Sequence, residues 1–129
     1  MSEHKTTEIL QAEAEKFRAD LEAKKSSGTA LTPKDRTAIP PQEMPSQEPM
    51  VRAHNMSEVA LGYTETQARV EAERCIQCGG APCKKGCPVG VPIPEFISHV
   101  QKGDFKGAWE AIQGVFKGWG GYFKGLWND

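Results

Sequence analysis

Cys75-Ile-Gln-Cys78-Gly-Gly-Ala-Pro-Cys83-Lys-Lys-Gly-Cys87-Pro88 contains all four cysteines of this 129-residue chain. The spacing is C-x2-C-x4-C-x3-C-P. Glycine and proline leave the stretch from Gly79 to Pro92 without a helical or strand pattern, so it reads as a loop. Glycines let such a backbone fold closely around a small group. The N-terminus, MSEHKTTEIL, lacks the basic flank and apolar run of a secretory signal. The chain is therefore expected in a reducing compartment, the cytoplasm. There, clustered thiols read as a metal or redox site before they read as disulfides.

Four chemistries compete for these thiols. Structural zinc usually takes two C-x2-C knuckles separated by a longer span, and this loop has one. Two disulfides would need an oxidising space to which nothing directs the chain. A thioredoxin-like pair wants a βαβ setting, and no alternating strand pattern occurs anywhere. An iron–sulfur cluster fits best, with Cys75, Cys78, Cys83 and Cys87 as metal and cofactor ligands. Lys84 and Lys85 would offset part of the negative charge of a thiolate-ligated cluster. In bacterial ferredoxins the run of three cysteines serves one cluster, and the fourth, followed by proline, serves another. By that logic Cys75, Cys78 and Cys83 ligate one cluster and Cys87 begins a second. Two [4Fe–4S] clusters need about eight ligands, twice the number available.

Outward from the loop, helical signals dominate. Upstream, Thr64-Glu-Thr-Gln67 fits a capping box, and the helix it opens should run through Ala68, Ala72 and Cys75, carrying Cys75 to a buried side. Downstream, Pro94 suits the first position of a helix with Phe96, Ile97 and Val100 on its apolar face and Gly103 at its stop. Asp104 is a suitable N-cap for the next helix, which carries Phe105, Ala108, Trp109 and Ile112. At the N-terminus, Leu10, Ala14, Phe17 and Leu21 recur along one helix face. Between that helix and the loop, Pro33, Pro40, Pro41, Pro45 and Pro49 fix φ and withhold N–H donors. That segment is expected to be an extended arm, held in place by hydrogen bonds from Arg52 and Asn55.

The tail beginning at Gly114 places Phe116, Trp119, Phe123, Leu126 and Trp127 at helical spacing, beside Val115 and Tyr122. Lys117, Lys124 and glycines fill the other side. Such a helix can lie on a membrane surface or in a partner groove. Each interior glycine costs roughly 1 kcal/mol against alanine, so the alternative is a loosely packed end.

Composition excludes several functions. Sixteen Lys and Arg against seventeen Asp and Glu give net −1, so no general basic field exists to hold nucleic acid. No run approaches the ~20 apolar residues of a membrane span. The mean hydropathy of −0.54 is polar for one packed domain, as a solvated helix and an arm would make it. His4, His54 and His99 are scattered, and none pairs with a cysteine at metal spacing.

The run Gln47-Glu-Pro-x-x-Arg52-x-x-Asn55-x-x-Glu58-Val-x-Leu61-Gly-Tyr63, followed by Ala72-Glu-Arg-Cys75-x-x-Cys78 and Ala81-Pro-Cys83-x-x-Gly-Cys87-Pro88, resembles the N-terminal iron–sulfur domain of the glutamate synthase small (β) subunit. Dihydropyrimidine dehydrogenase and related flavin oxidoreductases share that domain. Glu95-Phe96-Ile97 and Gly103-Asp104-Phe105-Lys-Gly-Ala108-Trp109 resemble the two helices that follow. The resemblance implies an all-α, small helical ferredoxin-like domain with a loop-borne cysteine cluster. It implies two [4Fe–4S] clusters relaying electrons between flavins, with FAD and NADPH held by later domains. The implied partner is the glutamate synthase large subunit or another flavin oxidoreductase. In that family a second cysteine-rich segment follows the Trp109 helix. This chain has none, nor a G-x-G-x-x-G fingerprint, and is expected to be truncated before that segment.

The expected organisation is an N-terminal helix (1–25), a proline-rich arm (26–54), a partial iron–sulfur helical domain (55–113) and a Gly/aromatic tail (114–129). The expected function is electron transfer, with no catalytic residue of its own. The alternative is a non-catalytic module stabilised by zinc or a single cluster, docking a partner through its aromatic tail.

Overall fold

The computed structural model describes residues 5–28 and 30–126, with side chains described as far as Lys117. Among these residues there are seven helices and no strand: α1 (Thr7–Ser26), α2 (Pro33–Thr37), α3 (Pro49–Arg52), α4 (Glu65–Glu73), α5 (Pro82–Lys85), α6 (Ile93–Lys102) and α7 (Phe105–Leu126). The all-α expectation holds. Contacts divide the chain into two units, Met1–Arg74 and Cys75–Asp129. His4 and Trp127 lie outside the described residues.

In the first unit α1 packs on α4. Leu10, Ala14 and Leu21 are buried along the expected stripe, while Phe17 stays 38% exposed. Leu21 joins Ile39 and Val70 in a small apolar cluster with Leu31 against it. On the solvent side Arg18 pairs with Glu22 at 2.8 Å, one turn apart. Such exposed pairs contribute only tenths of a kcal/mol.

The proline-rich stretch is not extended throughout, because it holds α2 and α3. Pro33 and Pro49 open them, where the missing N–H costs nothing and the fixed φ already suits a helix. Thr32 and Asp35 cap each other reciprocally around α2. Between the two helices the chain runs extended, bridging once between Ser46 and Ala60. The Gln47 amide donates to Val59 O and the Leu61 amide to Pro45 O, both at 2.8 Å. Other backbone groups there are satisfied by side chains on or near α4. Gln67 Nε2 donates to Glu43 O at 3.0 Å, Tyr63 Oη to Gln42 O at 2.9 Å, and Glu71 Oε2 accepts from the Gln42 amide at 2.8 Å. These bonds meet the pairing that an extended chain without a sheet still requires. Asn55 pins the arm as expected, donating to Gln47 Oε1 and Val51 O at 2.9 Å.

The capping box at α4 forms as read, with Thr64 Oγ1 accepting from the Gln67 amide and Gln67 Oε1 from the Thr64 amide. The far end of α4 corrects the sequence reading. The helix stops at Glu73 with Arg74 as its C-cap, so Cys75 lies beyond it and is only half-buried. Tertiary pairing anchors this end. Glu73, 6% exposed, takes Arg36 Nη1 on its carboxylate at 3.0 Å and on its carbonyl oxygen at 2.9 Å. Lys25 Nζ reaches the same carboxylate. The Glu73 carbonyl, which no further turn of helix satisfies, accepts a side-chain hydrogen bond instead.

In the second unit, α6 packs on both α5 and α7. Pro94 occupies the second position of α6 rather than the first. Gly103 ends the helix with φ 77°, a conformation that costs other residues energy through their Cβ. Asp104 then caps α7, accepting the Gly107 amide on Oδ1 at 2.9 Å, while its Oδ2 meets His99 Nδ1 at 2.8 Å. Hydrogen bonds from the Gly107 amide and then from His99 hold the Asp104 carboxyl below its ordinary range. Gly107 leaves the room for this clasp, because a Cβ there would fall against the Asp104 carboxylate and 2.7 Å from His99 Cε1. α7 then continues unbroken to Leu126, so the backbone of the expected tail is part of this helix as far as that residue.

Candidate metal centre

The cysteine segment begins one residue beyond the α4 cap. Cys75 and Cys87 are half-buried, Cys78 and Cys83 exposed, and none is in a disulfide. The segment is not wholly a loop. Ala81, with φ 39°, turns the chain, and Pro82 opens α5 with Cys83 in its single turn. The turn is held by Ala81 N to Cys78 O at 3.0 Å and Lys84 N to Ala81 O at 3.0 Å.

Two residues in this segment adopt positive φ without being glycine, Gln77 (50°) and Ala81 (39°). Such conformations cost energy and concentrate at functional sites. Gln77 separates Cys75 from Cys78, and its Nε2 donates to Pro94 O at 3.1 Å, tying this turn to the start of α6. Gln77 was not singled out from the sequence, where a glutamine inside C-x2-C carries no signal. Lys84 Nζ reaches Glu95 Oε1 at 3.6 Å between two exposed side chains, so it is partly engaged in offsetting that carboxylate.

Cys87 has the most distinctive surroundings. Backbone hydrogen bonds from Val91, then Val89 and Gly90, hold its thiol below the ordinary thiol range, against a smaller opposing effect of desolvation. The chain curls around the sulfur after Pro88, with the Gly90 amide donating to Cys87 O at 3.1 Å and Gly90 at φ 76°. Amides aimed at sulfur are the means by which a protein stabilises a thiolate ligand and tunes the centre it binds.

The donors fit an iron–sulfur centre chemically: four thiols in residues 75–87, no competing disulfide, and amides directed at one sulfur. The geometry does not draw them together. Among the described residues no three His, Cys, Asp or Glu side chains are grouped to hold one metal ion. His99 lies outside the cysteine segment, paired with Asp104.

The fold and these donors define a small helical domain with a thiolate loop suited to a soft metal. Residues 52–115 match the family described as dihydropyrimidine dehydrogenase domain II, 4Fe-4S cluster, which bears out the resemblance read from the residues. A homolog of the NAD-dependent dihydropyrimidine dehydrogenase subunit PreT from Salmonella typhi is 36% identical over 64 residues, covering 50% of this chain and 16% of that protein. The glutamate synthase [NADPH] small chain of Azospirillum brasilense is 32% identical over 73 residues, 56% of this chain and 15% of that protein. That of Mycobacterium tuberculosis strain H37Rv is 32% identical over 72 residues, with 55% and 15% covered. The chain therefore spans about a sixth of the length of these relatives. The matched segment is similar to a 4Fe–4S domain and to parts of both kinds of protein.

Proposed function

We propose that this chain is an electron-transfer module of an oxidoreductase of the NADPH-dependent glutamate synthase small-subunit type. Cys75, Cys78, Cys83 and Cys87 are its [4Fe–4S] ligands. The observation that carries the reading is the C-x2-C-x4-C-x3-C-P pattern lying inside a segment that matches a 4Fe–4S family. When bound, such a centre supplies one-electron transfer. The chain's own residues place and tune it. Gln77 fixes the first turn against α6, Ala81 and Pro82 set the second, and the amides of Val89, Gly90 and Val91 favour the Cys87 thiolate.

In this reading the iron–sulfur domain is residues 55–113, preceded by a helix (1–25) and an arm (26–54). FAD and NADPH chemistry belongs to other domains of the oxidoreductase. The redox partner is a flavin protein such as a glutamate synthase large subunit, and the setting is cytoplasmic. Four cysteines suffice for one [4Fe–4S] centre; where Cys87 instead begins a second, the first centre also takes a ligand from outside this set. A second would draw ligands from another segment or chain.

Anaerobic reconstitution with iron and sulfide tests the reading. Expected are a broad absorption near ~400 nm that bleaches on reduction and about four irons per chain, both lost in Cys83→Ser. Stoichiometric zinc with no iron uptake under these conditions refutes it in favour of a zinc-stabilised binding module. If one centre survives Cys87→Ser unchanged, Cys87 does not complete it.

A further inference from the structure

Gln77 keeps a side chain where the backbone favours glycine. Its φ is 50°, in the left-handed region where a Cβ crowds the following carbonyl oxygen. The cysteine segment carries Gly79, Gly80, Gly86 and Gly90, yet this turn holds glutamine. Asparagine and aspartate tolerate such a φ because their short side chains bond locally. The Gln77 carboxamide instead reaches 17 residues along the chain, where Nε2 donates to Pro94 O at 3.1 Å.

The far end of that bond gives it meaning. Pro94 sits in the first turn of α6, and the chain leading into it wraps Cys87. There the Gly90 amide donates to Cys87 O at 3.1 Å and the Ile93 amide to Val91 O at 2.8 Å. Val89, Gly90 and Val91 turn their amides to the Cys87 sulfur. One side chain therefore joins the turn between Cys75 and Cys78 to the segment, residues 89–94, that surrounds Cys87. The turn that carries Cys83 has a weaker link to the same place, since Lys84 Nζ lies 3.6 Å from Glu95 Oε1 and both side chains are exposed. Among the described residues no three metal-ligating side chains are grouped, so a metal has to gather the thiols. A turn already tied to α6 has less conformational freedom to lose when that happens.

We propose that Gln77 is a positioning residue for the thiol cluster. Its carboxamide holds the Cys75–Cys78 turn to the start of α6, and so fixes that pair relative to the segment around Cys87 before a metal binds. The proposal rests on the assignment of the four cysteines as ligands, and gives a role to a side chain that supplies no thiol.

The test titrates the full chain anaerobically with Co(II), whose sulfur-to-metal charge-transfer absorption reports thiolate ligation, and separately reconstitutes it with iron and sulfide. Gln77→Met keeps the length and neutrality of the side chain without its donor, and Gln77→Ala removes the side chain beyond Cβ. Each should weaken Co(II) binding about fivefold, the worth of one lost hydrogen bond, and should speed loss of the reconstituted centre in air by a similar factor. Gln77→Lys restores a donor at similar reach and should bind Co(II) within about twofold of the parent. Far-UV circular dichroism should match the parent in all three, because Gln77 is exposed. Unchanged Co(II) affinity in Gln77→Met and Gln77→Ala overturns the proposal. So does equal weakening in Gln77→Lys, which would remove the donor from the account, and so does a parent chain that binds no Co(II). A parent that binds Co(II) with this dependence on Gln77 but takes up no iron and sulfide refutes the electron-transfer reading and upholds the positioning role.

Discussion

The Glu73 cluster offers a quantitative test of what stabilises the end of α4. Replacing Arg36 with alanine removes one charge-assisted hydrogen bond at 3.0 Å and one to the Glu73 carbonyl oxygen at 2.9 Å. The carboxylate left behind is 8% exposed, and the Arg36 side chain itself is 19% exposed. A hydrogen bond to a charged group is worth about 1.5–3 kcal/mol, and stranding a fully buried charge costs about 3–5 kcal/mol. Lys25 remains as a second cation, so the expected loss is about 2–3 kcal/mol, roughly a 30- to 150-fold rise in the opening of α4. Lys25→Ala should cost under ~1 kcal/mol, because that side chain is 45% exposed and its pair is screened. Hydrogen exchange read by mass spectrometry on the full chain measures both, using peptides from α4 and α1. The reasoning is wrong if Lys25→Ala accelerates exchange as much as Arg36→Ala, or if Arg36→Ala changes it by less than about twofold.

Two further outcomes follow from the caps. Thr64→Ala removes one half of the reciprocal cap on α4 and should destabilise the first unit by about 1 kcal/mol, read as faster exchange at the α4 N-terminus with α7 unaffected. Acid should loosen α2 and the start of α7 together. Asp35, through Thr32, and Asp104, through Gly107 and His99, have carboxyl pKa values lowered in the fold. The unfolded chain therefore takes up these protons first. The contribution is complete above the ordinary carboxylate range near pH 4 and fades as pH falls below it. Circular dichroism at 222 nm should hold steady from neutral pH to that point and then fall. Asp35→Asn and Asp104→Asn should flatten the fall, and an unchanged profile in the double variant would remove these two groups from the account.

Much of the helix placement was legible in the residues. Thr64 and Gln67 announce a helix start because capping is a local exchange of bonds between residues three apart. Gly103 announces a stop because its positive φ is a property of one residue. The cysteine spacing was equally local, and it supplied both the candidate ligands and the family resemblance. The short helices α2, α3 and α5 were missed where proline was read as a breaker and acted as a starter. The same ring serves both purposes, and the choice depends on the residues that follow.

By itself, then, the sequence determined the helical character of the described chain and its caps, and it confined the candidate soft-metal ligands to residues 75–87, because each rests on neighbours along the chain. Only the tertiary structure showed how the end of α4 is held, since Arg36 and Lys25 reach Glu73 across 37 and 48 residues. Only it showed that α7 runs as one helix to Leu126, with Phe105, Trp109 and Phe116 outside the cover of α6. Burial and charge pairing of this kind depend on which distant surfaces meet, and local spacing carries no record of that.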